Sequence, residues 1–310
     1  MKALVLNLTN KTFLLQNIDE PKLHKDSVII EVKAVGICHT DLEIYQGRYK
    51  PRMPEPIVLG HEVSGIVIKK GSGVYDINEG DKVSVYPIIY CGICEYCRRG
   101  KENLCLYRKT LGIDIPGGMT ERISIPYTNV FKLPSNISLE AGSLIEPLSV
   151  AYGAIKKAID LGFNINSETK VAIFGVGTIG NMALNVLKQL FNPKIFAIDI
   201  SDNKLIKAKE LGADILINAS QEDALQRIKE FTDIGVDVCF EFVGNINVVT
   251  QCVNSVRPGG IAVILGADPR PSMISTPRLF REEVVITGSY GAPKSLWREI
   301  INLISGGKID

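Results

Sequence analysis

Cys38, His61, Glu62 and Glu146 together offer a thiolate, an imidazole and two carboxylates. That is the donor mix a zinc ion takes when one position is kept open for water or substrate. The four lie in three separated stretches, Gly36-Ile-Cys-His-Thr-Asp41, Gly60-His-Glu62 and Glu146-Pro147, so only a fold can unite them. Taken singly they have plainer readings, since a lone histidine is more often a satisfied core or turn residue and a lone cysteine a small buried apolar one. A second group is more specific. Cys91, Cys94, Cys97 and Cys105 follow the spacing C-x2-C-x2-C-x7-C, which lets four thiolates surround one tetrahedral ion and leaves no place for a substrate; a zinc there is structural. Disulfides between positions so close strain the loop. A four-iron cluster is the other candidate, but Glu95, Arg98, Arg99, Lys101 and Glu102 make the surroundings charged and poor at shielding one.

A third pattern is Gly175-Val-Gly177-Thr178-Ile179-Gly180, with the spacing G-x-G-x-x-G. Alone it is a weak signal. Here it follows the strand-like Val171-Ala-Ile-Phe174 and opens a helical pattern, and Asp199 closes the next apolar run. That context is the one in which glycines permit a tight turn and let a helix N-terminus face a pyrophosphate. Asp199 would accept hydrogen bonds from the adenosine ribose and repel a 2′-phosphate, so NAD is expected over NADP, with Lys204 near enough to matter.

The elements that must position these groups divide into two kinds. With 310 residues the chain has room for two domains. Val28–Val35, Glu62–Ile68 and the run up to Val85 read as strands, Thr40–Gln46 as a short helix and the N-terminus as a first strand, which suits a small, partly closed β-barrel. From Leu139 the grammar changes. A helix over Leu139–Leu161 with a kink at Pro147 is expected. Strands at Lys170–Phe174, Lys194–Asp199, Ile215–Ile217, Val236–Phe240, Ile261–Leu265 and Val284–Gly288 follow. Helices are expected at Thr178–Leu190, Asn203–Leu211, Glu222–Phe231, Ile246–Val256 and Pro293–Ser305. This alternation predicts a doubly wound parallel sheet, and so an α/β protein. A net charge of +1 gives no reason to expect a nucleic acid or an acidic membrane as partner. No apolar run reaches the length of a membrane span. The N-terminus lacks a signal-peptide pattern, so the protein is expected in the cytoplasm and the sequon Asn7-Leu-Thr9 is expected to be idle. Of the seven cysteines, Cys239 and Cys252 sit in apolar segments and read as core.

On Gly36-x-Cys38-His-Thr-Asp41, Gly60-His61-Glu62, Gly80-Asp-Lys-Val83, the four-cysteine lobe, Glu146-Pro147 and the glycine loop, the chain resembles the zinc-dependent medium-chain dehydrogenase/reductase family over essentially its whole length. The resemblance implies a GroES-like catalytic domain over residues 1–148, with the structural zinc lobe at about 91–105. It implies a Rossmann coenzyme domain over 149–288 and the start of a return to the catalytic domain over 289–310. It further implies two zinc ions per chain, NAD, an active site between the domains, and a homodimer or homotetramer joined near Val284–Gly288. Glu146 stands where sorbitol and related polyol dehydrogenases carry glutamate and simple alcohol dehydrogenases carry cysteine; threonine dehydrogenase is a neighbour. Whether Glu62 or Glu146 binds zinc directly stays open.

By the same resemblance Asp41 orients a ligand, His39 meets the coenzyme pyrophosphate, and Thr40 takes the alcohol proton. Two departures stand out. Glu43 occupies the place of a relay histidine, and the sequence stops at Asp310 where relatives continue, suggesting truncation or a differently closed barrel. The expected reaction is reversible hydride transfer between a secondary alcohol, a polyol or related small hydroxy compound, and NAD. Threonine- or sugar-phosphate-dehydrogenase activity is the nearest alternative. A zinc-free double-bond reductase would not need Cys38, His61 and the lobe, and a catalytically silent relative would show decay at ligands or glycines. Tyr45, Tyr49 and Trp297 are candidates for the substrate cleft, with the core as the simpler expectation for each, and His24 reads as a loop residue.

Overall fold

The computed structural model describes residues 1–309. The described residues separate into two compact units, Met1–Glu146 with Pro293–Gly307, and Pro147–Ala292 with Lys308 and Ile309.

The first unit is built on a five-stranded antiparallel sheet. Its spatial order is Val130–Lys132, Lys82–Val85, Glu62–Lys70, Ser27–Gly36 and Arg122–Pro126. The β-branched run in Ser27–Gly36 drives this: Val28 and Ile30 are fully buried, packed with Val63, Val67, Val83, Val85, Ile123 and Ile125. A three-stranded sheet ordered Thr12–Asn17, Lys2–Asn7 and Ile57–Val58 completes the partly closed barrel. Thr12–Asn17 escapes a reading for strands because every residue in it is exposed, leaving no alternation to detect.

One register positions the chemistry. Ser27–Gly36 and Glu62–Lys70 run antiparallel with Gly36 opposite Glu62, so the end of one strand meets the start of the other. Cys38, two residues past Gly36, and His61, one before Glu62, therefore leave the sheet at the same place.

The last helix, Ser295–Ser305, belongs to this unit. It buries Leu296, Trp297, Ile300 and Ile301, an apolar stripe at helical spacing. Trp297 packs edge-on to Tyr86 at 5.0 Å, and its Nε1 donates to Ser84 Oγ at 3.3 Å. Trp297 is thus core. Tyr45 and Tyr49 are not, being 36% and 37% exposed, because both follow the buried Ile44 at the open end of the helix His39–Gln46.

The long helix expected over Leu139–Leu161 is instead two, Leu139–Ser143 and Ile145–Asp160, parted at Leu144. Pro147 makes no kink. It is the third residue of the second helix, where the backbone N–H has no intrahelical partner to lose.

The second unit is a six-stranded, all-parallel sheet. Its order is Ile215–Asn218, Lys194–Asp199, Lys170–Phe174, Val236–Glu241, Val256–Ile264 and Val285–Gly288. Burial of both faces explains the near-continuous apolar runs: Val171, Ala172, Ile173, Phe196, Ala197, Phe240, Ala262 and Val263 are all fully buried. Val285–Gly288 forms one edge. A short helix, Thr276–Phe280, lies between the last two strands and was not expected. Cys239 and Cys252 are core residues as read, but they are also joined to each other by a disulfide.

Candidate active site

Cys38, His61 and Glu62 present ligand atoms that all lie within 4.8 Å of one another. Cys38 is the N-cap of His39–Gln46, and its Sγ lies 3.7 Å from Thr40 Oγ1. His61 and Glu62 are buried. Gly36 makes room for Glu62, since a Cβ there would sit 1.9 Å from Glu62 Oε2. Asp41, buried to 3% exposure, ties the two ligand loops together. One oxygen accepts from the Cys38 backbone N–H at 2.9 Å and the other from the Gly60 N–H at 3.3 Å. It also faces His61 Nδ1 at 3.9 Å.

Glu146 is in the first turn of Ile145–Asp160, half-buried, and is not one of the three clustered ligands. It shares their electrostatic neighbourhood. Burial pushes its carboxyl up to about 8, with Cys38, Glu62 and Asp41 adding to the rise and His61 opposing it. Burial likewise raises the Cys38 thiol and the Glu62 carboxyl. Three acids that each resist ionisation in one small space call for a cation. His61 Nδ1 is buried without a hydrogen-bond partner, and a thiol, an imidazole and a carboxylate are all zinc donors. The residues fit the ion.

The rest of the neighbourhood is more open. His39 is 75% exposed, with Nε2 3.2 Å from Glu43 Oε1, and Glu43 is held in turn by Arg48 Nη2 at 2.7 Å. Tyr45 stacks on Phe13 at 5.6 Å.

The four-cysteine lobe is tighter. Its sulfurs also lie within 4.8 Å of one another, with separations of 3.5 Å for Cys94–Cys97, 3.6 Å for Cys105–Cys91 and 3.9 Å for Cys91–Cys97. Zn–S bonds of about 2.3 Å in a tetrahedron give edges of roughly 3.8 Å, so these separations match one ion. A four-iron cube would need them spread around its own sulfides. Backbone N–H groups already point at the sulfurs, from Cys94 to Cys91 at 3.3 Å and from Cys91 and Tyr107 to Cys105 at 3.4 Å. The Ile93 and Cys94 N–H groups hold the Cys91 thiol below its ordinary value and those of Cys97 and Leu106 bring Cys94 down to about 6, while burial and the adjoining thiols push Cys97 up to about 12.

In the second unit, Phe174 runs into the glycine loop. Gly175 has φ +88°, and a Cβ on Gly180 would lie 1.9 Å from the Gly175 carbonyl oxygen, whereas one on Gly177 would meet open space. The loop is therefore closed below and open above, with Thr178 and Ile179 starting the helix Thr178–Leu190. Asp199 ends the neighbouring strand and reaches back to it. Its Oδ2 accepts from the Val176 N–H at 3.1 Å, its Oδ1 from Ile200 and Ser201 at 2.9 and 3.1 Å, and Lys204 Nζ lies 3.6 Å away.

A residue that the sequence reading passed over is Glu241, the wholly buried last residue of Val236–Glu241. Its signal was available: a lone acid closing the apolar run Val236-Asp-Val-Cys-Phe-Glu241, at the strand end where parallel sheets bind ligands.

A partly closed barrel carrying a zinc-type donor cluster, together with a doubly wound sheet carrying a dinucleotide loop, defines an alcohol-dehydrogenase-type oxidoreductase that uses zinc and a nicotinamide cofactor. Residues 24–135 match the alcohol dehydrogenase GroES-like domain and residues 178–306 the zinc-binding dehydrogenase domain. The chain is 33% identical to an L-threonine 3-dehydrogenase of Bacillus velezensis, covering 100% of this chain and 89% of that one. It is 34% identical to a sorbitol dehydrogenase of Bacillus subtilis, covering 99% and 86%. A zinc-binding dehydrogenase from Sinorhizobium meliloti, solved bound to NADP, superposes with a TM-score of 0.91 at 28% identity, over 100% of this chain and 89% of the other. The chain belongs to the zinc-dependent medium-chain dehydrogenase family.

Proposed function

We propose that the protein is an NAD-dependent dehydrogenase of secondary alcohols, with polyols or related small hydroxy compounds as substrates. The observation that carries this reading is the convergence of Cys38, His61 and Glu62 within 4.8 Å, bordered by Glu146. These four residues would hold the catalytic zinc, and Cys91, Cys94, Cys97 and Cys105 a second, structural one. Bound at the first site, zinc supplies the Lewis acidity that lowers the pKa of a neighbouring hydroxyl.

The chain's own residues do the rest. Asp41 fixes the loops carrying Cys38 and His61 through its hydrogen bonds to Cys38 and Gly60. Thr40, beside the Cys38 sulfur, offers a hydroxyl to take up the alcohol proton. Glu43 stands on the next turn, between His39 and Arg48, where a proton can leave for solvent. Gly175, Gly177, Thr178, Ile179 and Gly180 receive the pyrophosphate, helped by the N-terminus of Thr178–Leu190.

NAD is favoured because the Asp199 carboxylate is pinned at the strand end by three backbone N–H groups, where its charge repels a 2′-phosphate. Lys204 works against that preference, and the Sinorhizobium meliloti relative was solved with NADP. A homodimer or homotetramer joined along Val285–Gly288 is part of the proposal, since that strand pairs with Val256–Ile264 on one side and, among the described residues, with no strand on the other. So is action in the cytoplasm; among the described residues no helix is long and apolar enough to cross a membrane.

The deciding experiment offers zinc-assayed protein a panel of polyols, sugars, simple alcohols and threonine with NAD or NADP, following absorbance of the reduced cofactor. Turnover of a polyol with NAD is expected. Zinc-replete protein that reduces neither cofactor with any of them overturns the reading, and a preference for NADP overturns the part assigned to Asp199.

A further inference from the structure

We infer that Glu241 is a positioning residue for the dinucleotide, its buried carboxylate fixing the two loops that leave adjacent strands where the parallel sheet reverses its order. The inference rests on the dehydrogenase reading above and adds to it a residue that touches neither metal nor glycine loop.

Its place in the topology comes first. Lys170–Phe174 and Val236–Glu241 are neighbours in the middle of the sheet. Successive strands step away from the first of them in one direction and from the second in the other. Doubly wound sheets bind ligands at such a point, outside the C-terminal ends of the strands. Phe174 pairs with Glu241 in register. Phe174 leads into Gly175, and its carbonyl accepts from the Phe242 N–H at 2.9 Å. A Cβ on Gly175 would lie 2.7 Å from Val243 Cγ2. The segment after Glu241 is therefore the wall against which the glycine loop is set.

Glu241 decides where that wall stands. Its Oε1 accepts from the Val243 and Gly244 N–H groups, both at 2.8 Å. Its Oε2 accepts from the Gly266 N–H at 3.2 Å, a donor shared with the Glu241 main-chain oxygen at 3.3 Å. Gly266 belongs to the loop after the next strand, Val256–Ile264. The two loops approach so closely that a Cβ on Gly266 would lie 2.0 Å from Gly244 N. No side chain fits between them, and the carboxylate below takes up their inward-facing donors. An acceptor-only group suits three N–H donors; a carboxamide would turn its own N–H toward one of them. Burial works against an ionised acid here and raises its carboxyl. An acid kept at that cost, at the ligand-binding end of the sheet, is better explained by loop placement than by core packing.

The test compares full-length, zinc-replete parent with Glu241→Gln in three measurements: NADH titration by fluorescence, steady-state KM for dinucleotide and for alcohol, and thermal melting. In the variant the NADH Kd and the dinucleotide KM should both rise about tenfold, the order expected when a buried N–H loses its acceptor. The alcohol KM at saturating dinucleotide should stay within about twofold, with zinc content and cooperative melting retained. If Glu241→Gln does not fold, Glu241→Asp, which keeps the charge but shortens the reach, replaces it in the same measurements. A folded variant that binds NADH as the parent does overturns the inference alone. So does one that loses dinucleotide and alcohol affinity together in step with its melting temperature. A parent that binds no nicotinamide dinucleotide overturns the dehydrogenase reading, and the inference with it.

Discussion

The two donor clusters of the first unit are assembled in opposite ways. The lobe takes its four sulfurs from one stretch of fifteen residues, Cys91–Cys105. The other cluster takes Cys38 from a helix cap, His61 and Glu62 from the start of a strand, and the bordering Glu146 from a helix begun some eighty residues later. Their electrostatics differ as well. In the lobe, backbone N–H groups already favour thiolate at Cys91 and Cys94, though burial and the adjoining thiols push Cys97 the other way. In the dispersed cluster, burial pushes Cys38, Glu62 and Glu146 all toward their protonated forms. A local loop can be prepared for a metal by its own backbone. A cluster drawn from distant segments is held by the fold, and it leaves its charges for the metal and substrate to satisfy. The first arrangement suits a permanent fixture and the second a site with an open position.

The comparison is broken most directly by removing one donor from each cluster. Cys38→Ser should lower kcat/KM for the alcohol by roughly a thousandfold, the several kcal/mol of charge stabilisation a catalytic metal provides, with melting little changed and one zinc per chain remaining. Cys97→Ser should do the reverse. It should cost the lobe zinc and lower the melting temperature by on the order of 10 °C, while the molecules still folded turn over near the parent rate. Elemental analysis beside melting and kinetics reads both. Equal losses of activity from the two variants would erase the functional division between the clusters.

A smaller effect sharpens the division. Asp41→Asn keeps the shape of the side chain but gives one of its two anchoring positions a donor in place of an acceptor. Zinc affinity at Cys38, His61 and Glu62 should fall about 10- to 100-fold, the usual consequence of losing a ligand's supporting hydrogen bond. Competition with a chelator should show that weakened site emptying first while the lobe keeps its metal. Unchanged affinity would mean that Asp41 holds nothing the strand register does not already hold.

Legibility from sequence follows the same split. The lobe was readable from spacing alone because its geometry is local. The strands Lys170–Phe174 and Lys194–Asp199 and the helix Thr178–Leu190 fall where the pattern put them, since continuous apolar runs between turn signals reflect a sheet buried on both faces. The donors Cys38, His61 and Glu62 were recognisable as types, but only the pairing of Gly36 with Glu62 brings them together, and no spacing rule encodes a register between strands so far apart. Failures came where pattern and environment part company. Thr12–Asn17 is a strand with no buried face, Pro147 is harmless in a first helical turn, and the exposed Tyr45 and Tyr49 carry the composition of core residues. Glu241 was missed because an acid at the end of a strand looks like a turn residue until its three N–H partners are seen.

The smallest effect concerns the cysteines themselves. The structure assigns the seven to three environments: Cys38 alone, four in the lobe, and Cys239 bonded to Cys252 in the core of the second unit. From the sequence alone such a bond is not expected, because an odd count in a chain without a secretion pattern argues for metal or free thiol. The fold supplies what that argument lacked. A parallel strand, Val236–Glu241, and the helix Ile246–Ser255 packed on it bring the two cysteines to a Cα separation of 5.9 Å, within bonding range. Both are wholly buried, so a soluble reductant acting on native protein should leave the bond intact. Metal-free protein unfolded in denaturant and treated with a thiol reagent should then react at five cysteines, and after reduction at seven. Seven without reduction would return Cys239 and Cys252 to ordinary core residues. Fewer than five would place a disulfide in the lobe, and with it would go the contrast between a sealed four-thiolate cluster and an open mixed one.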